Sequence, residues 1–215
     1  MLDRFVLRLI QPAVNLLTQP LVHAGVSANT LTWSGFAVGL FAAWSITQQA
    51  YGMALLLMSV ARLCDALDGA VARQTQTSDL GGFLDITLDF VFYASIPLAF
   101  ALADPQANAL AAAAVLAAFV GTASSFLAFA ALAAKRGLHS LHYPEKSFYF
   151  LGGLTEGTET LAFFAAACLW PKHFATLAYG FAALCVVTLA TRVFLGVRTF
   201  SQPVPSAPGQ ALHDR

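Results

Sequence analysis

The sequence predicts an all-α membrane protein, a bundle of six transmembrane helices preceded by an amphipathic helix at the membrane interface. Of its 215 residues, 58% are hydrophobic and only 10% are charged, whereas soluble domains carry about 25% charged residues. Apolar stretches of about 20 residues, long enough to cross a ~30 Å hydrocarbon core as helices, recur along the chain. The balance of 11 acidic and 11 basic residues argues against a nucleic-acid partner.

The elements follow in order along the chain. Residues 1–24 combine charged and apolar side chains and contain Pro12, so they are too polar to span and suit an interfacial helix. The six spans are predicted at Asn29–Gln48, Tyr51–Ala72, Gly81–Ala103, Ala107–Ala134, Ser147–Trp170 and Phe174–Leu195. A single membrane domain therefore covers residues 1–200, with all spans within 29–197. The proline-containing segment 201–215 is expected to be a disordered tail.

Basic residues gather on one side of this arrangement. That side receives Arg4, Arg8, Arg73, Lys135, Arg136, Lys146, Arg192 and Arg198, whereas Lys172 falls on the other. By the positive-inside rule both termini face the cytoplasm, in the inner membrane if the protein is bacterial. Lys135, Arg136 and Lys146, around the loop between the fourth and fifth spans, are expected to contact anionic membrane lipids. The alternative is that they attract a phosphorylated acceptor.

Four aspartates lie where the second span ends and the third begins. Asp65 and Asp68 are three residues apart, and Asp85 and Asp89 are four apart, so each pair shares a helix face. A carboxylate within lipid costs roughly 2.5 kcal/mol or more and is a functional candidate by default. The two arginines of this region, Arg62 and Arg73, cannot neutralise all four carboxylates. The spacing therefore predicts a site for one or two hard cations such as Mg²⁺ or Mn²⁺.

The residues between the aspartate pairs favour a diphosphate ligand. Gly69, Ala72 and Gly81 have small or no side chains, so a ligand can lie against the backbone. Arg73 can hold a phosphate oxygen through its planar guanidinium. Phosphoryl transfer needs mainly positioning and charge neutralisation, which this combination of residues supplies.

The run Asp65-x2-Asp68-Gly69-x2-Ala72-Arg73 … Gly81-x3-Asp85-x3-Asp89 resembles the signature of the CDP-alcohol phosphatidyltransferases. The loop between Arg73 and Gly81 is one residue shorter than in the usual pattern. Segment 25–32 is also similar to the family's opening before its first span, with Ala28 in place of a common proline. The resemblance covers about 25 residues as motif and most of the chain as architecture.

The resemblance implies an enzyme that moves a substituted phosphate from a CDP-linked donor, most simply CDP-diacylglycerol, to an alcohol, releasing CMP. It implies that Asp65, Asp68, Asp85 and Asp89 bind divalent metal, with Asp89 also acting as the base that deprotonates the acceptor hydroxyl. It further implies a homodimer. The implied nucleotide contacts are Gly69, Ala72, Arg73 and Gly81, with Asn29 and Thr32 as further candidates.

A polar patch in the fifth span is the candidate acceptor side. If that helix starts near Lys146, Glu156 lies ~15 Å into the membrane, close to the ~12 Å expected for Asp89. We expect Glu156 and Glu159 to line the acceptor side, binding hydroxyls or an amine. The alternative is that they form internal ion pairs with Arg62, Arg192 or Lys146.

Three other functions remain open at this stage. A soluble CDP-linked headgroup could be transferred onto a lipid alcohol by the same site. An ion- or proton-coupled transporter would also place carboxylates in the membrane, but it is expected to show broken helices and an inverted repeat, which the sequence lacks. A prenyl-diphosphate enzyme would use aspartates at other spacings. The acceptor also stays open among glycerol phosphate, inositol phosphate, serine, choline and other sugar alcohols.

Overall fold

The computed structural model describes residues 3–137 and 155–201, and within these ranges every element is a helix. The α-helices are α1 (Asp3–His23), α2 (Ala28–Thr47), α3 (Tyr51–Gln74), α4 (Asp79–Ala103), α5 (Pro105–Lys135), α6 (Gly157–Leu169) and α7 (Phe174–Phe200). A short 3₁₀ turn, Pro171–His173, precedes α7. The predicted all-α class is thus confirmed for the part of the chain that is described.

Side-chain caps fix where three of these helices begin. The Ser27 hydroxyl accepts the Thr30 N–H at 3.1 Å at the start of α2, and the Ser78 hydroxyl accepts the Gly81 N–H at 3.0 Å before α4. Asp104 accepts the Ala107 N–H at 3.1 Å before α5, whose first residue is Pro105. Serine and aspartate satisfy otherwise unpaired N–H groups at these positions. Proline at the first helical position costs no hydrogen bond, because an N–H there would have no partner within the helix.

Within residues 3–137 and 155–201, three helical segments are long and apolar enough to cross a membrane by length and composition: α4, α5 and Pro171–Phe200. Large apolar side chains on these segments stay exposed, including Leu102 at 62% and Leu110 at 75%. Exposed apolar surface of this extent needs an apolar environment to cover it. The protein is therefore an integral membrane protein.

Glycines on α2 bring it close to two neighbouring helices. A Cβ built on Gly35 would lie 2.9 Å from the Cys64 Cβ of α3, and one on Gly39 would lie 2.7 Å from the Phe92 ring of α4. Both distances are too short for a real side chain. The Gly35/Gly39 pair therefore serves packing within this bundle. Helices α3 and α4 both pack against α2 rather than extensively against each other.

Stacked aromatic side chains join three helices, α4, α6 and α7. The Phe100 and Phe174 rings stack with centroids 4.3 Å apart, and those of Phe163 and Phe181 stack at 4.5 Å. These pairs tie α4 and α6 to α7. Offset and stacked aromatic pairs contribute about 0.5–1.5 kcal/mol each beyond their buried area.

The fifth predicted span needs correction. A continuous helix from Ser147 to Trp170 was expected, but Thr155 lies in a bend, Glu156 is the N-cap of α6, and α6 has only 13 residues. The physical reason is a capping box, in which the Glu159 carboxylate accepts the Glu156 N–H at 3.1 Å and starts a new helix. Residues 147–154, Lys146 and most of the predicted tail, 202–215, lie outside the described residues.

Candidate active site

Three of the four aspartates converge. One carboxylate oxygen from each of Asp65, Asp68 and Asp85 lies within 4.8 Å of the other two. Asp68 is buried, whereas Asp65 is half-buried and Asp85 is exposed. The Thr32 hydroxyl of α2 donates a 2.6 Å hydrogen bond to Asp68 Oδ2 and orients it. Three hard oxygen donors at this spacing fit a divalent cation such as Mg²⁺ or Mn²⁺.

Asp89 stands apart from this group. Its Oδ1 accepts a 2.9 Å hydrogen bond from Arg62 Nη1, and the same nitrogen lies 3.5 Å from Asp65 Oδ2. The Arg62 guanidinium also packs 4.8 Å from the centroid of the Phe92 ring. The structure therefore places three predicted metal ligands together and joins the fourth to them through an arginine. Sequence reasoning treated Arg62 only as a member of an alternative ion pair.

A cleft of about 170 Å³ adjoins the three carboxylates, and we call it the glycine cleft. Its lining includes five of the six predicted nucleotide contacts, together with two of the aspartates: Asn29, Thr32, Gly69, Ala72, Gly81, Asp68 and Asp85. The sixth, Arg73, borders it, because a Cβ on Gly69 would lie 3.3 Å from Arg73 Nη1. A Cβ on Gly81 would likewise lie 3.3 Å from Asn29 Oδ1. Glycine at both positions keeps the cleft open.

A second cavity, of about 290 Å³, lies next to Asp89, and we call it the inner cavity. Its polar lining comes from α4 to α7 and the bend before α6: Asp89, Tyr93, Thr122, Thr155, Glu156, Thr160 and Arg192. Glu156 and Asp89 thus line the same cavity, and the acceptor role of Glu156 stays a prediction. Glu159 is not among the lining residues, and its carboxylate instead caps the start of α6.

Arg192 is the site residue that sequence reasoning missed, since it was considered only as a basic end of the last span or a partner for glutamate. Its Nη1 donates to the Thr122 carbonyl at 2.9 Å. Among the described residues its Nε is buried with no hydrogen-bond partner. The signal was available, because an arginine within an apolar span is a functional candidate by default.

The glycine cleft and the inner cavity are separated by one turn of α4. Asp85 lines the glycine cleft and Asp89 lines the inner cavity, four residues and therefore ~6 Å of helix rise further on. A ligand at the carboxylates and a second ligand in the inner cavity would thus meet beside Asp89. The arrangement suits transfer of a group between two substrates.

Comparison with known proteins decides the family. The family model described as CDP-alcohol phosphatidyltransferase matches residues 25–195. The chain belongs to the CDP-alcohol phosphatidyltransferase family. The match spans both the opening segment before α2 and the aspartate motif.

Relatives of this family member agree with the assignment. The chain is 49% identical over 199 residues to the inner membrane protein YnjF of Escherichia coli, covering 93% of this chain and 97% of that protein. It is 41% identical over 83 residues to archaetidylinositol phosphate synthase of Pyrococcus horikoshii, covering 38% and 44% of the two chains. Over 92 residues it is 33% identical to phosphatidylcholine synthase of Borreliella burgdorferi, covering 40% and 37%.

The fold is shared with solved structures. Phosphatidylinositol phosphate synthase (PgsA1) of Mycobacterium tuberculosis with CDP-DAG bound superposes with a TM-score of 0.68 at 18% identity, covering 86% of this chain and 93% of that one. The same enzyme in complex with manganese and citrate gives 0.66 at 18% identity, covering 85% and 88%. The family assignment makes this chain a transferase of phospholipid biosynthesis and confirms the predicted family. It argues against the transporter and prenyl-diphosphate alternatives.

Proposed function

We propose that this transferase moves a substituted phosphate from CDP-diacylglycerol to the hydroxyl of a small alcohol and releases CMP. The observation that carries the proposal is the separation of two spaces by one turn of α4, with three converging carboxylates at one and Asp89 at the other. A diphosphate at the carboxylates and a hydroxyl at Asp89 would be neighbours. That proximity is the main requirement of phosphoryl transfer.

The donor's nucleotide would occupy the glycine cleft. Gly69 and Gly81 let a flat ligand approach the backbone, and Asn29 offers amide donors and acceptors at the cleft wall. Asp65, Asp68 and Asp85 would hold one or two Mg²⁺ or Mn²⁺ ions. When bound, such ions neutralise diphosphate charge and stabilise the leaving phosphate. Arg73, beside Gly69, would add a fixed positive charge at the phosphate end.

Asp89 would act as the base. An acceptor hydroxyl in the inner cavity would give its proton to the Asp89 carboxylate. The hydroxyl oxygen would form a bond to the β-phosphorus of the donor, while the bond from that phosphorus to the bridging oxygen of CMP breaks. Arg62 would orient Asp89 through its 2.9 Å hydrogen bond. The products would be the new phosphodiester and CMP.

A third space supports a lipid rather than a soluble donor. A groove of about 900 Å³, which we call the outer groove, presents apolar side chains of α4 and α5, including Phe83, Ile86 and Leu127. It shares Ser78 and Gly82 with the glycine cleft. A donor held by its nucleotide in that cleft could therefore lay an acyl chain in the outer groove. With a soluble CDP-headgroup as donor, the acyl chains would belong to the acceptor and would not be joined to the nucleotide in the glycine cleft.

We further propose six spans, with α1 at the membrane interface, both termini and the site on the cytoplasmic side, and a homodimer. Val14 of α1 packs against Leu67 and Ala70 of α3, whereas Leu16 is 76% exposed. One face of α1 thus meets the bundle and another is available to lipid. Cysteine-accessibility labelling at each end would test the topology, and cross-linking in native membranes would test the dimer.

The function is tested with purified protein in detergent, Mn²⁺ or Mg²⁺, CDP-diacylglycerol and a panel of alcohols, with CMP as the readout. We expect metal- and acceptor-dependent CMP release that disappears in Asp89→Asn. Asp104→Asn is the matched control, because Asp104 caps α5 at the far end of α4. No CMP release with any alcohol, together with no binding of CMP, would contradict the proposal.

A further inference from the structure

We propose that the Arg62 guanidinium takes the place of a second metal ion, so that the proposed active site holds one divalent cation per chain. This role of Arg62 rests on the proposed transfer reaction and sets how many ions its carboxylates take. The observation behind it is the position of one guanidinium between two of the four aspartates. The ion would then be held by the three carboxylates that lie together, those of Asp65, Asp68 and Asp85.

Four aspartates would in principle suffice for two ions. In two-metal sites the ions lie about 3.5–4 Å apart and stabilise the attacking and the leaving oxygen of a displacement. A second ion here would need oxygens of Asp89, the aspartate that does not belong to the converging three. Asp65 is the member of those three that shares a cationic partner with Asp89. A second ion would therefore compete with Arg62 for the same two carboxylates.

The Arg62 guanidinium already lies between these two carboxylates. Its Nη1 is 2.9 Å from Asp89 Oδ1 and 3.5 Å from Asp65 Oδ2. Two cations cannot share one position, and like charges repel strongly at short distance where water is partly excluded. An ion that joined Asp65 to Asp89 would have to displace the arginine first.

Displacing Arg62 would be costly. Its side chain is only 19% exposed, and its guanidinium carbon lies 4.8 Å from the centroid of the Phe92 ring and 5.8 Å from that of the Tyr93 ring. Within the described ranges its Nε is already buried without a hydrogen-bond partner. A guanidinium that lost both carboxylates would keep its full charge in this partly buried place, and an unpaired buried charge is strongly destabilising.

The positive charge of the site would thus be divided between one ion and one arginine. When bound, the ion neutralises the diphosphate of the donor. Arg62 supplies a permanent charge beside Asp89, because a guanidinium does not lose its proton in proteins. Asp89, the proposed base, is held by that hydrogen bond at the inner cavity. None of its oxygens is then needed as a metal ligand, and both remain on the side of the acceptor.

The test counts the Mn²⁺ ions bound to the purified wild-type protein in detergent. Free Mn²⁺ is followed by electron paramagnetic resonance during titration, with and without one equivalent of CDP-diacylglycerol and with no acceptor present. The donor is included because its diphosphate could complete a second site. We expect one Mn²⁺ per chain in both conditions. The bound ion should also give the spectrum of an isolated Mn²⁺, whereas two ions about 3.5–4 Å apart would be magnetically coupled.

Variants test whether Arg62 sets this number. Arg62→Gln removes the charge and should raise the count from one Mn²⁺ per chain to two, whereas Arg62→Lys keeps the charge and should still bind one. Arg198→Gln, which removes an exposed arginine of α7, is the matched control and should bind one. Calorimetry with CMP reports on the donor site of each preparation. Arg62→Met, which places an apolar side chain beside Phe92, repeats the neutral substitution if Arg62→Gln fails to fold.

The outcomes separate this role from the proposed function. Two Mn²⁺ ions on the wild-type protein, with or without the donor, would overturn the inference and leave the transferase function in place. One Mn²⁺ in the wild-type protein and also in the neutral variants would overturn it too, because the count would not depend on Arg62. A second ion in Arg62→Lys would overturn the role of the charge. Loss of CMP binding in the wild-type protein would instead remove the proposed function, and absence of any bound Mn²⁺ would contradict both.

Discussion

Arg62 of α3 hydrogen-bonds Asp89 of α4 at 2.9 Å, and the same nitrogen reaches Asp65 at 3.5 Å. One guanidinium thus links the aspartate that borders the inner cavity to the carboxylate group beside the glycine cleft. Because α3 and α4 make few direct contacts, this link is a principal polar connection between them near the site. The hydrogen bond from Arg62 therefore holds the Asp89 carboxylate in position.

Removing this link should both destabilise the protein and misplace Asp89, the proposed base. Arg62→Gln is expected to cost about 1.5–3 kcal/mol of stability, because charge-assisted hydrogen bonds of partly buried groups are lost. It should also lower kcat for CMP release more than it lowers CMP affinity. Thermal unfolding in detergent and steady-state kinetics measure the two effects. Arg198→Gln serves as control, and a wild-type Tm in Arg62→Gln would contradict the structural role.

The carboxylates should differ in their importance for metal binding. Asp65→Asn, Asp68→Asn and Asp85→Asn are each expected to abolish or strongly weaken Mn²⁺ binding, because these three oxygens lie within 4.8 Å of one another. Asp89→Asn should weaken it less while abolishing turnover. Electron paramagnetic resonance of free Mn²⁺ during titration gives the affinities. Equal loss of Mn²⁺ binding in all four variants would instead favour a four-aspartate ligand set.

Thr32 should tune the metal site from α2. Its hydroxyl donates to Asp68 at 2.6 Å, so Thr32→Val removes the group that orients a ligand while nearly conserving volume. Losses of about 10-fold in metal affinity are typical when such supporting hydrogen bonds are removed. The same Mn²⁺ titration measures the change. Thr47→Val at the other end of α2 is the matched control, and unaltered affinity in Thr32→Val would refute the orienting role.

Alanine in place of either glycine of the glycine cleft should weaken CMP binding without lowering the stability of the protein. Ala in place of helical Gly usually stabilises by about 0.5–1 kcal/mol, yet a Cβ at Gly69 or Gly81 enters the glycine cleft at 3.3 Å from Arg73 or Asn29. We therefore expect Gly69→Ala and Gly81→Ala to bind CMP more weakly with no loss of Tm. Gly52→Ala, where the added carbon meets nothing within 4 Å, is the control. Unchanged CMP affinity would show that the cleft does not receive the nucleotide.

Much of the site could be predicted from the sequence because helical spacing is local. The i,i+3 spacing of Asp65 and Asp68 and the i,i+4 spacing of Asp85 and Asp89 depend only on neighbours a few residues away. The separation of Asp89 from the other carboxylates could not be predicted, since it depends on how α3 and α4 pack against α2 and on the Arg62 contact between them.

Other features also depended on tertiary context. The break before α6 was missed because a capping box placed between apolar segments reads as a polar patch within one span. The contact of Arg192 with the Thr122 carbonyl could not be predicted, because the two residues lie 70 positions apart in the chain. Long-range partners of this kind leave no periodic pattern in the sequence.

Because α2 contacts both α3 and α4, the loop between Arg73 and Gly81 does not by itself set the spacing of these two helices. Gly35 meets α3 and Gly39 meets α4, so the spacing of the two helices is measured across α2 and not along the connection between Arg73 and Gly81. That connection joins the two helices without setting the distance between them. A loop one residue shorter than the usual pattern is therefore compatible with carboxylate oxygens that lie within 4.8 Å of one another.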